Sequence, residues 1–230
     1  MNKIGLIGGM SWESSHVYYK LINEMIKERL GGFHSARILL ESVNFSVIES
    51  LMQQDDWPAL EAQMVSAAQN LEAGGADMIV LCTNSMHLCA DSIITNTTIP
   101  FIHIADATAD AIKKLELENV LLLGTRFTMA RDFYKSKLLN DHGVDVIIPD
   151  PADAQEVDRI IFEELVHGTV LRSSKETYQN IIEKAAANGA EGAVLGCTEI
   201  PMLIAPEDVS IPVFDTTYLH AQAAVNMALL

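Results

Sequence analysis

Two short polar triplets are the segments of this sequence whose residue types could do chemistry. Thr83-Asn84-Ser85 and Cys197-Thr198-Glu199 each follow an apolar run typical of a buried strand. A thiol that loses its proton becomes a base, and its ordinary pKa of about 8.5 falls when backbone dipoles at a helix N-terminus point at it. A threonine hydroxyl donates or relays a proton but is a poor base. The alternative interpretation of Cys197 is a small buried hydrophobic residue.

An internal repeat relates the two triplets. Residues 75–83 match residues 189–197 at a spacing of 114 positions, so Thr83 corresponds to Cys197. Because neighbouring side chains on a strand point to opposite faces, Cys82 is expected to face the packed layer when Thr83 faces a ligand. Shorter matches extend the repeat on both sides, at residues 6–8 with 122–124 and 99–101 with 211–213.

Other candidate groups carry less specific signals. Gly8-Gly9 could expose backbone N–H groups to an anion, but the segment does not form a GxGxxG dinucleotide motif. The alternative is a plain turn with Ser14 or Ser15 as the helix cap. The seven histidines show no HxxxH or HExxH spacing, so a metal site is not expected. No motif for pyridoxal phosphate or a nucleotide is present either, so no cofactor is expected. His87 and Glu199 could tune a site or could be structural hydrogen-bonding groups.

Short β-branched apolar runs alternate with longer stretches of helical periodicity, which is typical of a parallel α/β sheet. Most of the predicted strands lack in/out alternation, which indicates that both of their faces are covered. The pattern predicts strands near residues 3–7, 36–43, 78–82, 119–123, 144–148 and 192–196, and helices over residues 14–30, 57–73, 156–166 and 175–187, with a short helix after residue 82.

The repeat also predicts the domain organisation. Two copies of one α/β unit would be related by a pseudo-twofold axis, with the carboxyl ends of their strands lining a crevice where ligands bind. We expect a first lobe over residues 1–98, a crossover over 99–118 and a second lobe over 119–212. Residues 213–230 are expected to form a C-terminal helix that packs back on the first lobe.

Composition excludes several classes of function. The 230 residues are 49% hydrophobic and 20% charged, which predicts one large globular domain or two small ones. A net charge of −16 would repel a phosphate backbone, which argues against nucleic acid as a partner. No apolar run reaches the roughly 18 residues of a membrane span. Three cysteines without a CxxC pair, and no cleavable targeting segment, predict a reducing, cytoplasmic location.

Five segments resemble those of the aspartate/glutamate racemase family, whose members racemise amino acids without a cofactor. The resemblance covers nearly the whole chain. It implies two Rossmann-type lobes with parallel sheets, an active site in the cleft between them, a small amino-acid substrate and a homodimer. The segments are residues 5–14 (GLIGGMSWES), 81–87 (LCTNSMH), 103–108 (HIADAT), 123–129 (LGTRFTM) and 195–201 (LGCTEIP).

The resemblance also implies roles for individual residues. Family members use two cysteines on opposite faces of the substrate, the first in a Cys-Asn-Thr triplet and the second in Gly-Cys-Thr-Glu. Here Cys197 is the second, whereas Thr83 replaces the first. Gln53 lies where aspartate-directed members can place a cation near the distal carboxylate. The residues implied around the substrate are Met10, Ser11, Asn84, Ser85, Thr125, Thr128 and Thr198, and Glu199 is counted with them.

The sequence therefore predicts racemisation of L-aspartate or L-glutamate. Cys197, as a thiolate, would remove the α-proton from one face and Thr83 would deliver a proton to the other, so unequal half-reactions are expected. Hydantoin racemases, maleate isomerases and decarboxylases of the same superfamily remain alternatives. Outside enzymes, the alternative is a non-catalytic amino-acid-binding relative that has lost one cysteine.

Overall fold

Strands and helices alternate along the chain, and the computed structural model describes all of it, residues 1–230. The strands are β1 (Ile4–Gly8), β2 (Ile38–Ser42), β3 (Met78–Leu81), β4 (Phe101–Ile102), β5 (Asn119–Gly124), β6 (Asp145–Ile147), β7 (Gly192–Gly196) and β8 (Val213–Asp215). The α-helices are α1 (Trp12–Leu30), α2 (Phe45–Gln53), α3 (Trp57–Ala73), α4 (Ala90–Asn96), α5 (Ile104–Lys114), α6 (Arg126–Ala130), α7 (Asp132–His142), α8 (Pro151–Glu163), α9 (Arg172–Ala187) and α10 (Thr216–Ala228). Short 3-10 helices cover Ser85–Cys89, Leu165–His167, Ile200–Met202 and Pro206–Asp208.

The strands form two parallel sheets of four strands each. Strand order is β2-β1-β3-β4 in the first sheet and β6-β5-β7-β8 in the second. Ile7 pairs with Leu81 in the first sheet, and Leu123 pairs with Leu195 in the second. Because the repeat relates both pairs, equivalent strands hold equivalent positions. The predicted α/β class with parallel sheets is confirmed.

Both faces of the central strands are covered, as the missing alternation predicts. In β3, Val80 packs in an apolar cluster with Tyr18 of α1, whereas Ile79 packs in a different cluster with Leu60 of α3. All four side chains are fully buried. Helices therefore cover both faces of the sheet, and in such sheets ligands bind at the carboxyl ends of the strands.

The chain divides into two units. The first unit comprises Met1–Ile104 with His220–Leu230, and the second comprises Ala105–Leu219. The last residues belong to the first unit because one face of α10 is apolar. Val225 of α10 packs in the same cluster as Leu6 of β1.

Two segments contain strands that the sequence pattern does not predict. Residues 99–118, expected as a crossover, include β4, whose short apolar run Phe101-Ile102 pairs with β3. Residues 213–230, expected as a helix, begin with β8, in which Phe214 pairs with Val194. Runs of two or three residues are too short for a periodicity argument, and pairing with a neighbouring strand decides their conformation.

Equivalent hydrogen bonds occur within each unit, at equivalent positions next to the strands. Glu72 of α3 accepts from the backbone N–H and the hydroxyl of Thr98 at 2.7 and 2.5 Å. Glu183 of α9 accepts from the backbone N–H and the hydroxyl of Ser210 at 2.7 and 2.6 Å. In each unit the carboxylate ties the helix before the third strand to the turn before the fourth. These hydrogen bonds lower the pKa of both carboxyl groups.

Helix boundaries differ from the sequence prediction. α1 begins at Trp12 because the side chain of Ser11 accepts the backbone N–H of Ser14 and caps the helix. The cap therefore precedes the predicted Ser14 or Ser15. α8 begins at Pro151, earlier than its pattern indicates, and α2, α5, α6 and α7 have no counterpart in the sequence prediction. None of the helices combines the length and the apolar character needed to cross a membrane.

Candidate active site

In the first unit, β3 leads into Cys82 and Thr83 at the carboxyl end of the sheet. The N–H of Cys82 donates to the carbonyl of Ile7, and the N–H of Thr83 donates to that of Leu81, each at 2.9 Å. Cys82 is fully buried in the apolar cluster of β1 and α1, and this burial raises its thiol pKa far above the usual range. Thr83 is half-buried. Cys82 is a core residue, and Thr83 presents the more accessible side chain.

In the second unit, β7 leads into Cys197 at the equivalent strand end. Cys197 is half-buried, and its Sγ donates to Oε2 of Glu199 at 2.9 Å. The same oxygen accepts from the hydroxyl of Thr198 at 2.6 Å. Gly196 precedes the thiol because a Cβ there would lie 2.8 Å from the carbonyl oxygen of Leu123 on β5. Close packing of the central strands thus fixes where Cys197 leaves the sheet.

The electrostatic surroundings of Cys197 differ from those that the sequence predicts. Its thiol pKa lies well above the ordinary value, first because of burial and then because of the charge and hydrogen bond of the Glu199 carboxylate. Backbone N–H groups of Glu199 and Thr198 lower the pKa, as expected of a helix start, but by less. The direction of this pKa shift opposes the ready thiolate formation that the sequence predicts. Cys197 is a neutral thiol that donates to Glu199.

Each unit also places a pair of hydroxyl groups after its first strand. In the first unit Ser11 caps α1, and its Oγ lies 3.4 Å from Oγ of Ser14. In the second unit Thr125 caps α6, and its Oγ1 lies 3.4 Å from Oγ1 of Thr128. The repeat spacing of 114 positions relates these pairs. Ser14 is not among the residues that the sequence places around the substrate, although it lies 114 positions before Thr128, which is among them.

The remaining candidates occupy different surroundings. Asn84 and Ser85 are buried next to Thr83, and Met10 is buried in the apolar cluster that includes α3. Gln53 lies at the end of α2, where its side chain is exposed and donates to Glu49 at 3.0 Å. The first unit therefore gathers most of its candidates after two adjacent strands, and Gln53 comes from a separate helix.

The second unit shows the same arrangement. Thr125 and Thr128 follow β5, whereas Cys197, Thr198 and Glu199 follow β7, and these two strands are paired. Each unit thus brings a hydroxyl pair and a polar triplet to the carboxyl ends of its two central strands. No group of three or more His, Cys, Asp or Glu side chains is placed to hold a metal ion.

Comparison with known proteins assigns the family. A sequence model of the Asp/Glu/Hydantoin racemase family matches residues 7–224. The chain belongs to this family. The match includes all the candidate residues described above, and the predicted family membership is confirmed.

Solved structures of related proteins resemble this racemase family member over its full length. A Yersinia pestis protein provisionally named an Asp/Glu racemase is 47% identical, with a TM-score of 0.95 and complete coverage of both chains. An aspartate racemase homologue from Pyrococcus horikoshii OT3 is 37% identical, with a TM-score of 0.88 and complete coverage of both chains. The aspartate racemase of Picrophilus torridus is 25% identical, with a TM-score of 0.78, over 99% of this chain and 94% of that one.

Proposed function

We propose that this chain racemises an acidic amino acid, aspartate or glutamate, without a cofactor. Family membership supports a racemase, and the similarity to an aspartate racemase supports an acidic substrate. The observation that carries the proposal is the Cys197 thiol, hydrogen-bonded to Glu199 at a strand end equivalent to that of Thr83. Inversion at Cα needs a base on one face of the substrate and an acid on the other, and the repeat supplies one candidate from each unit.

The hydrogen bond between Cys197 and Glu199 supports a route to the reactive thiolate. Glu199 accepts the Sγ proton and releases it to water, and the thiolate then takes the α-proton of the L-substrate, which leaves a carbanion stabilised by the adjacent carboxylate. Thr83 delivers a proton to the opposite face and recovers one from water. In the reverse direction the Cys197 thiol is the proton donor. The raised thiol pKa suits this donor role, because the proton is retained until a carbanion forms.

Thr83 is expected to make the two faces behave differently without making the reaction one-way. Enantiomers have equal free energies, so kcat/KM must be the same for L- and D-substrate. A thiolate can return a solvent-exchanged proton to the face from which it took one, whereas a hydroxyl rarely removes the α-proton of D-substrate. Exchange without inversion is therefore the property in which the enantiomers differ.

Incubation of the protein with L- and D-amino acids in D2O tests the proposal. NMR measures loss of the α-proton, and chiral chromatography measures configuration. We expect L-aspartate or L-glutamate to lose its α-proton faster than it inverts, and D-substrate to exchange little before inverting. Tight binding without any exchange would instead indicate an amino-acid-binding protein. Turnover of hydantoins, maleate or a decarboxylation substrate in place of amino acids would indicate another activity of the superfamily.

The same assay tests independence from cofactors. Dialysis against a chelator, with no pyridoxal phosphate added, is expected to leave the rate unchanged. Restoration of a lost rate by zinc or by pyridoxal phosphate would contradict the mechanism.

We also propose that the chain forms a homodimer through the outer side of α1. Trp12 and Tyr19 are 67% and 52% exposed, and their spacing of two helical turns places them on one side of α1. Leu40 of the edge strand β2 is also exposed and lies on the α1 side, because a Cβ at Gly8 would meet both Leu40 and Ser15. Exposed apolar side chains next to a free sheet edge favour self-association.

A further inference from the structure

His87 is a buried imidazole that joins two parts of the first unit. Its Nδ1 lies 2.8 Å from the carbonyl oxygen of Thr83, and its Nε2 lies 3.2 Å from the backbone nitrogen of Ile104. A carbonyl only accepts and a backbone N–H only donates, so Nδ1 carries the proton and Nε2 is the acceptor. These partners assign a single neutral tautomer.

The backbone of Thr83 is held on both sides. Its N–H donates to the carbonyl of Leu81 within the chain, and its carbonyl accepts from His87. We propose that His87 is a positioning residue, which fixes Thr83 through its Nδ1–H and takes no part in proton transfer. This inference rests on the proposed role of Thr83 in racemisation.

The surroundings of His87 oppose a charged ring. Its ring centroid lies 4.6 Å from that of His103 and 5.6 Å from that of His220, and the ring is 2% exposed. Burial, followed by these two histidines, lowers the His87 pKa well below its ordinary value. A second ring proton on Nε2 would also meet the N–H of Ile104. His87 therefore lacks both the free nitrogen and the accessible charge that a general base or acid needs.

The second unit provides an internal comparison. The residue equivalent to His87 is Pro201, which has no side-chain donor, and the carbonyl of Cys197 accepts from the backbone N–H of Ile200 at 3.3 Å. There the end of β7 is joined to α10, the helix after β8, by the hydroxyl of Thr216, which donates to the carbonyl of Leu195 at 2.9 Å. Both units tie the third strand to the helix after the fourth. His87 performs this connection in the first unit and also holds the residue proposed to handle the proton.

Two substitutions separate the hydrogen bonds of His87. In His87→Asn the amide nitrogen occupies the place of Nδ1 and keeps the donor to Thr83. In His87→Gln the amide oxygen reaches the place of Nε2 and keeps the acceptor for Ile104. Each variant loses one hydrogen bond of the buried ring, so the two form a matched pair for stability.

The expected result is a difference between these variants in the Thr83-dependent step. His87→Asn should invert L- and D-substrate at close to the native rate. His87→Gln should invert both about 10- to 100-fold more slowly, because a displaced hydroxyl loses its alignment with Cα. Exchange of the L-substrate α-proton in D2O depends on Cys197 and should stay near the native rate in both variants. Equal losses in the two variants, or a parallel fall of exchange and inversion, would show a purely structural role and overturn the inference.

A spectroscopic measurement on the native chain does not depend on any variant folding. Long-range nitrogen–proton NMR spectra distinguish a protonated Nδ1 from a protonated Nε2, and we expect His87 to be neutral with its proton on Nδ1 at pH 7. An Nε2–H ring or an imidazolium would overturn the inference. Absence of exchange in the native chain would contradict the proposed function instead, and the spectrum would still decide whether His87 holds Thr83.

Discussion

Cys82 and Cys197 lie one position apart when the two repeats are aligned, and their surroundings differ in polarity. Cys197 donates to Glu199, whereas Cys82 is fully buried among apolar side chains. We expect Cys197→Ser to lower exchange and inversion by at least about 10²-fold, because a serine hydroxyl is a far weaker acid than a thiol. Cys82→Ala should retain activity and lower the free energy of unfolding by about 1 kcal/mol, as removal of one small buried group does.

Isotope exchange and denaturant unfolding measure these effects, and Thr83→Ala provides the comparison at the other strand end. Thr83→Ala should stop inversion while L-substrate still exchanges its α-proton. Loss of activity in a folded Cys82→Ala protein, together with an active Thr83→Ala protein, would show that the equivalence of Thr83 with Cys197 is wrong.

The carboxylate of Glu199 adds to the effect of burial on the acidity of Cys197. Because its charge raises the pKa of the Cys197 thiol, Glu199→Gln should lower that pKa and let the thiolate form at lower pH. The change is measured by alkylation with iodoacetamide at pH values from about 6 to 10, the range in which thiols titrate. Mass spectrometry then gives the alkylated fraction at each pH. Glu183→Gln, a carboxylate at the other end of the sheet, is the control. An alkylation profile that Glu199→Gln leaves unmoved would show that burial alone sets the acidity of Cys197.

Glu72 ties α3 to the turn before β4. Its carboxyl pKa is lower in the folded chain than its ordinary value of about 4.3, so its stabilising effect is complete above that value. The effect disappears as the pH falls through the folded-state pKa. We expect Glu72→Gln to unfold at a lower denaturant concentration than the native chain at pH 7, with the difference shrinking at about pH 3.

Urea titrations followed by circular dichroism measure the difference, and Glu24→Gln is the matched control. Glu24 is exposed and lies 3.8 Å from Lys20 one turn away, so its loss should change the midpoint little. A constant deficit of Glu72→Gln at both pH values would mean that the ionised form of Glu72 is not what stabilises the turn.

Self-association should depend on the outer side of α1. Trp12→Glu is expected to weaken the dimer at least about tenfold, because a charge would replace a large apolar side chain in the contact. Sedimentation equilibrium measures the dissociation constant. Leu139→Glu, a similarly exposed position on α7, should leave it unchanged. A native chain that sediments as a monomer at every concentration would contradict the proposal.

The arrangement of the sheets follows from local pattern, whereas the character of the site does not. The match of residues 75–83 with 189–197 predicts both central strands and the equivalence of Thr83 with Cys197, since strand pattern and repeat spacing are properties of neighbouring residues. The raised pKa of Cys197 depends on burial and on the position that the Glu199 side chain adopts. The tautomer of His87 depends on Ile104, seventeen positions away. Such contacts exist only after the chain has folded.

The carboxylates Glu72 and Glu183 make the same hydrogen bonds in both units, whereas His87 and Pro201 differ in chemistry. Two identical chains that form a symmetric pair carry every strand-end substitution twice. Because both units lie in one chain here, a thiol can stand at one strand end and a hydroxyl at the other. The two strand ends can therefore differ in acidity while the hydrogen bonds at the opposite ends of the sheets stay alike.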